Sequence, residues 1–357
     1  MFGLSPLPRT LRAALRDAQH KKQEVQLSAI RELGQLATGD GRLEACAVLL
    51  TALRSESFAV RAEAALALAD ARAREHLAEL ILLTEDKHPR VRQMALLALG
   101  ELGDPGDSTT LAAVERHLQD ERPGIRFQSL VALFRVSGER AEPHIIQGIT
   151  DPDSEVRYIS LRLAEEHWLG ATIGRDERAD SSLSESLPPV VTEAALLALR
   201  DDAAEVQLSA AILLSRSGNP AGDSIIVHAL NASQKIRELD DEQASVELAG
   251  QRRLLDARPG LERRAWRGWG MARHPFAWHA RVALARMGDP RAKAAIVRGL
   301  NSWMRDERTS AVAAAGQARL YEARELVLKM DGDERMADPQ AVADALRTLA
   351  RPAGENG

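Results

Sequence analysis

One pattern recurs along this chain: an acidic residue, five residues of turn, then an arginine followed by apolar residues at helical intervals. It runs from Asp86 to Arg92 (DKHPRVR), Asp120 to Arg126 (DERPGIR) and Asp151 to Arg157 (DPDSEVR). Fainter copies at Val25, Val60 and Val206 extend the series, so the aligned valine or isoleucine falls at 25, 60, 91, 125, 156 and 206. The first four intervals are 35, 31, 34 and 31 residues. A period in that range predicts stacked two-helix units, each burying its apolar face only against its neighbours.

Each copy has the same grammar. Val91, Ala95, Ala98, Leu99 and Leu102 lie at offsets 0, 4, 7, 8 and 11, which places them on one stripe of an inner helix. Gly103-Asp104-Pro105 is expected to stop that helix, the glycine accepting a left-handed cap and the proline refusing to continue. Residues 108–118 then supply the next outer helix. Gly138, Gly218-Asn219-Pro220 and Gly288-Asp289-Pro290 repeat the stop, and 308–318, 321–330 and 339–350 complete an all-helical chain.

These residues resemble the HEAT-repeat family, in particular its bacterial short-repeat, bilin-lyase-like type, with D-x-x-P-x-V-R before the inner helix and A-L-G-x-L-G-D-P at its end. The resemblance covers most of 20–330. It implies an all-α fold, a HEAT-like α-solenoid whose helix pairs stack into a curved superhelix. It also implies a structural ladder of aspartates and arginines between repeats, complete at Asp86/Arg92, Asp120/Arg126 and Asp151/Arg157 and broken where Gln26 and Gln207 replace arginine. The tetratricopeptide alternative lacks its fixed period and its Trp, Gly and Tyr landmarks.

The array divides softly. An N-terminal run of repeats covers 1–167, and a Ser-rich stretch, 168–187, is expected to be a flexible loop because it offers little apolar surface. Repeats continue over 188–230. Residues 231–274 read as a degenerate repeat or a helical insertion, 275–350 as C-terminal HEAT-like helices, and 351–357 as a tail.

Composition narrows the function. Of 357 residues 45% are hydrophobic and only 3% aromatic, and the net charge of −5 argues against a general nucleic-acid coat, which needs a basic field. The single cysteine, Cys46, sits in an apolar run and reads as a buried small hydrophobe, which excludes a disulfide framework or a cysteine-cluster metal site. No run of 18 apolar residues spans a bilayer, and the N-terminus lacks a charged lead before an apolar core, so a cytoplasmic protein is the expectation.

Two constellations stand out as candidate protein-binding residues. Between 252 and 281 eight arginines face only Asp256 and Glu262, and three of the chain's five tryptophans, Trp266, Trp269 and Trp278, fall within thirteen residues. Arg263, Arg264, Trp266, Arg267 and Trp269 are the expected centre of a binding patch, since tryptophan and arginine dominate interface hot spots. The alternative is that the tryptophans plug an irregular joint while the arginines pair with the acidic residues 238–242. The second candidate is an aromatic strip: Phe127 and Phe134 lie opposite the packed stripe of their helix, and Tyr158 holds the equivalent offset in the next repeat.

Catalysis finds little support. The nine histidines are scattered, and Glu75-His76 and Glu166-His167 read as helix-end residues. HEAT-like di-iron hydroxylases carry His-Glu pairs within their repeats, whereas this chain has Ala64, Ala95 and Ser129 at such positions. Gly268-Trp269-Gly270 lacks the lysine and the strand of a phosphate loop. No catalytic residue, metal or cofactor is expected. The sequence reads as a non-enzymatic adaptor for protein partners, and analogy with other HEAT solenoids narrows that to a regulator of a small Ras-like GTPase or its activating protein, as in bacterial polarity control. The rivals are nucleic-acid binding through the Arg/Trp segment and, third, a bilin-lyase-like enzyme.

Overall fold

The structure, a computed structural model, describes residues 9–170, 187–233, 235–268 and 274–350. Those residues form twenty α-helices with no strand among them, and the backbone falls into two compact units, Met1–His167 and Trp168–Gly357. Most of the Ser-rich stretch, and Trp269, lie outside the described residues.

In the first unit outer and inner helices alternate. The pairs are α1 (Leu11–Asp17) with α2 (Gln23–Leu36), α3 (Arg42–Ala52) with α4 (Phe58–Asp70), and α5 (Leu77–Leu83) with α6 (Pro89–Leu102). Two more follow, α7 (Ser108–Glu115) with α8 (Pro123–Val136) and α9 (Gly138–Gly148) with α10 (Ser154–Leu169). The inner helices α2, α4, α6 and α8 pack in succession. Helices this short are marginal alone, so the buried stripe, here mostly alanine and leucine, holds them.

The second unit repeats the scheme. Its pairs are α11 (Pro189–Ala198) with α12 (Ala204–Arg216), α13 (Asp223–Asn231) with α14 (Leu239–Gln251), and α15 (Arg258–Trp266) with α16 (Ala277–Arg286). The last two are α17 (Pro290–Leu300) with α18 (Arg305–Gln317) and α19 (Arg324–Leu328) with α20 (Pro339–Thr348). Helix α14, which begins the stretch of uncertain status, packs against α12 on one side and α16 on the other, and α15 is the outer partner of α16.

Close approach of inner helices has a visible cause. A Cβ built on Gly100 would lie 2.9 Å from the Ala132 Cα, and one on Gly250 would lie 2.5 Å from the Ala283 Cα. A glycine on one helix thus receives an alanine of the next, and a methyl group there would force the pair apart.

The helix stops are less uniform than the sequence suggests. Gly218 and Gly288 take the left-handed conformation, with φ of 85° and 87°. Gly103 does not: its backbone is extended (φ −64°, ψ 153°). Glycine is required there for room instead, since a Cβ would lie 2.7 Å from Val136 Cγ2. The left-handed position after α4, α14 and α18 is held by Arg72, Arg253 and Arg319, each accepting a strain that glycine avoids. Among the described residues no helix is long and apolar enough to cross a membrane.

Candidate functional site

The ladder arises at one structural position, the fourth residue of each inner helix. Arg61, Arg92, Arg126 and Arg157 occupy it on α4, α6, α8 and α10, and Gln26 and Gln207 on α2 and α12. Each arginine has one hand on its own turn. Arg92 Nη1 donates to the Asp86 carbonyl (3.1 Å), Arg126 Nη1 to that of Asp120 (2.9 Å), and Arg157 Nη1 to that of Asp151 (2.9 Å).

The other hand reaches the following repeat. Arg61 forks onto the Asp86 carboxylate (Nε–Oδ2 2.7 Å, Nη2–Oδ1 2.8 Å), and Arg126 onto that of Asp151 (2.8 and 2.6 Å). Arg92 touches Asp120 through one nitrogen at 3.4 Å. The side-chain rungs are therefore 61–86, 92–120 and 126–151, offset by one repeat from the six-residue motif. The sequence motif joins Asp86 to Arg92 and Asp120 to Arg126 only through the backbone carbonyl.

Each aspartate also shapes its own turn. Asp86 Oδ1 accepts the His88 amide (2.8 Å), Asp120 Oδ1 that of Arg122 (2.9 Å), and Asp151 Oδ1 that of Asp153 (2.9 Å), the local bond that makes aspartate a turn former. Burial pushes the Asp86 carboxyl up, but the Arg61 guanidinium and the His88 amide outweigh it and hold the group below its usual range. Glutamine keeps only the inward hand: Gln207 Nε2 donates to the Asp201 carbonyl at 2.5 Å.

Two members of the series escaped the sequence reading. Arg308, fourth on α18, donates to the Ser302 carbonyl of its own turn (2.7 Å) and to the carbonyls of Met336 and Arg335 ahead of α20 (2.6 and 2.9 Å). On α14 the position carries the opposite charge, Glu242, buried and paired with Arg264 Nε on α15 at 2.7 Å.

That pair decides what the Arg/Trp segment can present. Arg264 is buried, its Nη1 donating to the Leu230 and Gly260 carbonyls (2.8 and 3.1 Å). Arg263 is exposed, yet its Nη2 caps the C-terminus of α13 through the carbonyls of Leu230 (3.1 Å) and Asn231 (2.6 Å). Arg267 is exposed. Trp266 is half-buried and packs on the apolar core of the second unit, as does Trp278. The Arg281 guanidinium lies 4.7 Å from the Trp278 ring and 5.3 Å from that of Trp266, and Arg291 lies 4.2 Å from Trp266. Aromatic rings and cations thus alternate from α15 to α17.

The aromatic strip is half-buried throughout: Phe127, Phe134 and Tyr158 are each partly covered. Phe134 meets the His167 ring edge-on, centroids 6.0 Å apart, and His167 Nε2 lies 2.8 Å from Glu142 Oε1. A residue outside both constellations is the most open aromatic in the chain's described part. Trp303, on the turn before α18, is 88% exposed beside Met304 at 46%.

Cys46 is buried, as its apolar run implies, and burial pushes its thiol up against the opposing pull of Arg42. Glu75 and His76 sit in the short turn before α5. The fold brings these three residues together: a ligand atom from each lies within 4.8 Å of the other two. Their separation of 29 and 30 residues gave no local sequence signal.

The HEAT repeat family matches residues 46–114 and 77–164. No curated protein sequence matches the chain. Among solved structures, YibA of Escherichia coli is similar over 78% of this chain and 93% of its own, with 16% identity and a TM-score of 0.52. The CpcE and CpcF complex of phycocyanin lyase from Nostoc sp. has 20% identity over 73% of this chain and 96% of that one, with a TM-score of 0.43. Human deoxyhypusine hydroxylase has 19% identity over 87% and 96%, with a TM-score of 0.33. The YibA likeness concerns the fold alone. Stacked helix pairs with an arginine ladder agree with the family match, which identifies HEAT repeats over residues 46–164.

Proposed function

We propose that this chain is a non-enzymatic cytoplasmic scaffold that binds a protein partner, with the turn before α18 as a principal anchor. The observation that carries the reading is Trp303, whose indole is 88% exposed with the half-open Met304 beside it. A tryptophan left in water gains nothing for the fold, whereas the same ring buried in a partner's pocket is the residue type that most often dominates an interface. Trp266 and Arg267 add a cationic, aromatic surface, and Arg263 and Arg264 serve it indirectly by fixing α15. The half-buried Phe127, Phe134 and Tyr158 are proposed as a weaker contact strip. A regulator of a small Ras-like GTPase or its activating protein is the narrower form of this reading, and it rests on analogy alone.

Trp303→Ala and Trp266→Ala separate anchor from plug. Capture of a partner from native lysate should fall at least tenfold with Trp303→Ala while the melting temperature stays put. Trp266→Ala should lower the melting temperature. Unchanged capture by the Trp303 variant would refute the anchor.

A further inference from the structure

Among the described residues, the first unit holds a cluster of possible metal ligands that partner binding does not use. We propose that Cys46, Glu75 and His76 form a site for a single zinc ion at the joint between the α3–α4 and α5–α6 pairs. The proposal concerns residues outside the partner surface and stands apart from that reading.

The geometry comes from the repeat. Cys46 lies on the outer helix α3, and Glu75 and His76 lie in the turn that opens the next outer helix, α5. One period of chain therefore brings them side by side, with sulfur, imidazole nitrogen and carboxylate oxygen mutually within 4.8 Å. Ligands held about 2.0–2.3 Å from a tetrahedral ion stand roughly 3.3–3.8 Å apart, so rotamer changes of about an ångström close the set. Burial is graded, from Cys46 inside through half-buried His76 to exposed Glu75, which leaves an approach from solvent and a fourth position for water. Glu79 Oε2 stands 4.0 Å from His76 Nδ1 as a further acidic group.

Chemistry chooses the metal. One thiolate, one imidazole and one carboxylate suit zinc, whereas magnesium and calcium take oxygen alone. Arg42 Nη2 holds Glu75 Oε1 at 2.8 Å, which occupies one oxygen of the carboxylate and leaves the other to the ion. As the sulfur–zinc bond forms, the Cys46 S–H bond breaks and its proton passes to solvent. Thiolate and carboxylate then match the two charges of the ion, and no redox partner is needed. The ion would tie α3 directly to the start of α5.

The test is a zinc titration of tag-free, chelator-treated full-length protein against a competing chromophoric chelator, with a parallel cobalt titration. One equivalent of zinc should bind saturably, and cobalt should show a thiolate charge-transfer band. Cys46→Ser should abolish that band, and His76→Gln and Glu75→Gln, both away from the core, should each weaken zinc at least tenfold. No saturable zinc at one equivalent, cobalt binding without a thiolate band, or equal affinity in all three variants would each overturn the site.

Discussion

The two units are built from the same helix pair, yet they treat one position in opposite ways. In the first, the fourth residue of the inner helix is Gln26 on α2 and arginine on α4, α6, α8 and α10, and Arg61, Arg92 and Arg126 bridge to a carboxylate of the following repeat. In the second, the same place holds Gln207, Glu242, Ala280, Arg308 and Val342 on successive inner helices. A uniform rung allows uniform stacking. Where the rung varies, each joint must find its own solution: a half-bond at Gln207, a reversed charge at Glu242, carbonyl acceptors at Arg308. The variable unit is also the one that carries the ring and cation series and the open Trp303. Irregular stacking and surface specialisation fall in the same place.

The sharpest way to break this comparison is Arg264→Met. It leaves Glu242 buried without its guanidinium, for which a loss of about 3–5 kcal/mol is expected in chemical denaturation. Adding Glu242→Gln should recover part of that loss, because the uncompensated charge goes with it. Additive losses would show that the two residues do not act as a pair. Next in size is the ladder itself. Arg126→Ala removes a two-pronged rung and should destabilise the first unit by about 3 kcal/mol. Arg92→Ala removes the same kind of inward bond and a rung of only one contact, at 3.4 Å, for which about 1 kcal/mol is expected. Equal effects would mean that the inward bond to the turn, which both share, outweighs the rung.

The smallest expected effect lies beside the weak rung. His117 is buried with Nε2 lacking a hydrogen-bond partner, Glu85 Oε1 3.6 Å from Nε2 and Asp120 Oδ2 4.0 Å from Nδ1. Burial holds its pKa down against the pull of those carboxylates, with Arg92 and Arg116 adding to the depression. The folded form thus takes up the proton less readily than the unfolded chain. Its contribution to stability is complete above the unfolded value of about 6.5 and is lost as pH falls through the lower folded value. His117→Gln should flatten the slope of urea midpoint against pH below that point. An unaltered slope would assign the acid sensitivity to other groups.

The helix pairs were legible because a period is written many times, and each copy repeats the same apolar stripe. Asp86, Asp120 and Asp151 could be recognised as ladder residues from the motif, but their side-chain partners could not. The partner lies on the preceding repeat, and the stack, not the sequence spacing, selects it. Arg308 was missed because its acceptors are backbone carbonyls that any residue supplies. The Glu242 and Arg264 pair falls within the alternative in which the arginines pair with residues 238–242; what the sequence does not mark is its place in the ladder series, because its charges are exchanged. The Arg/Trp segment was conspicuous in composition, which does not distinguish Arg264, turned inward, from Arg267, exposed to water. Trp303 carried no pattern at all; only its exposure marks it. Cys46, Glu75 and His76 were each visible alone, and their meeting is a product of the fold.

The offset rungs bear on how such a chain can lengthen. A regular repeat carries both an acceptor for the arginine before it and a donor for the aspartate after it. A duplicate of α5–α6 or α7–α8 spliced anywhere into that run would meet its neighbours with both halves matched, and the series would close without further change. The joint at Glu242 lacks this property. A second copy of α13–α14 would bring a buried glutamate with no arginine on the outer helix that follows it, since Arg264 belongs to α15. Gene duplication can therefore extend the first unit one helix pair at a time, while around α14 the chain can grow only by copying four helices together.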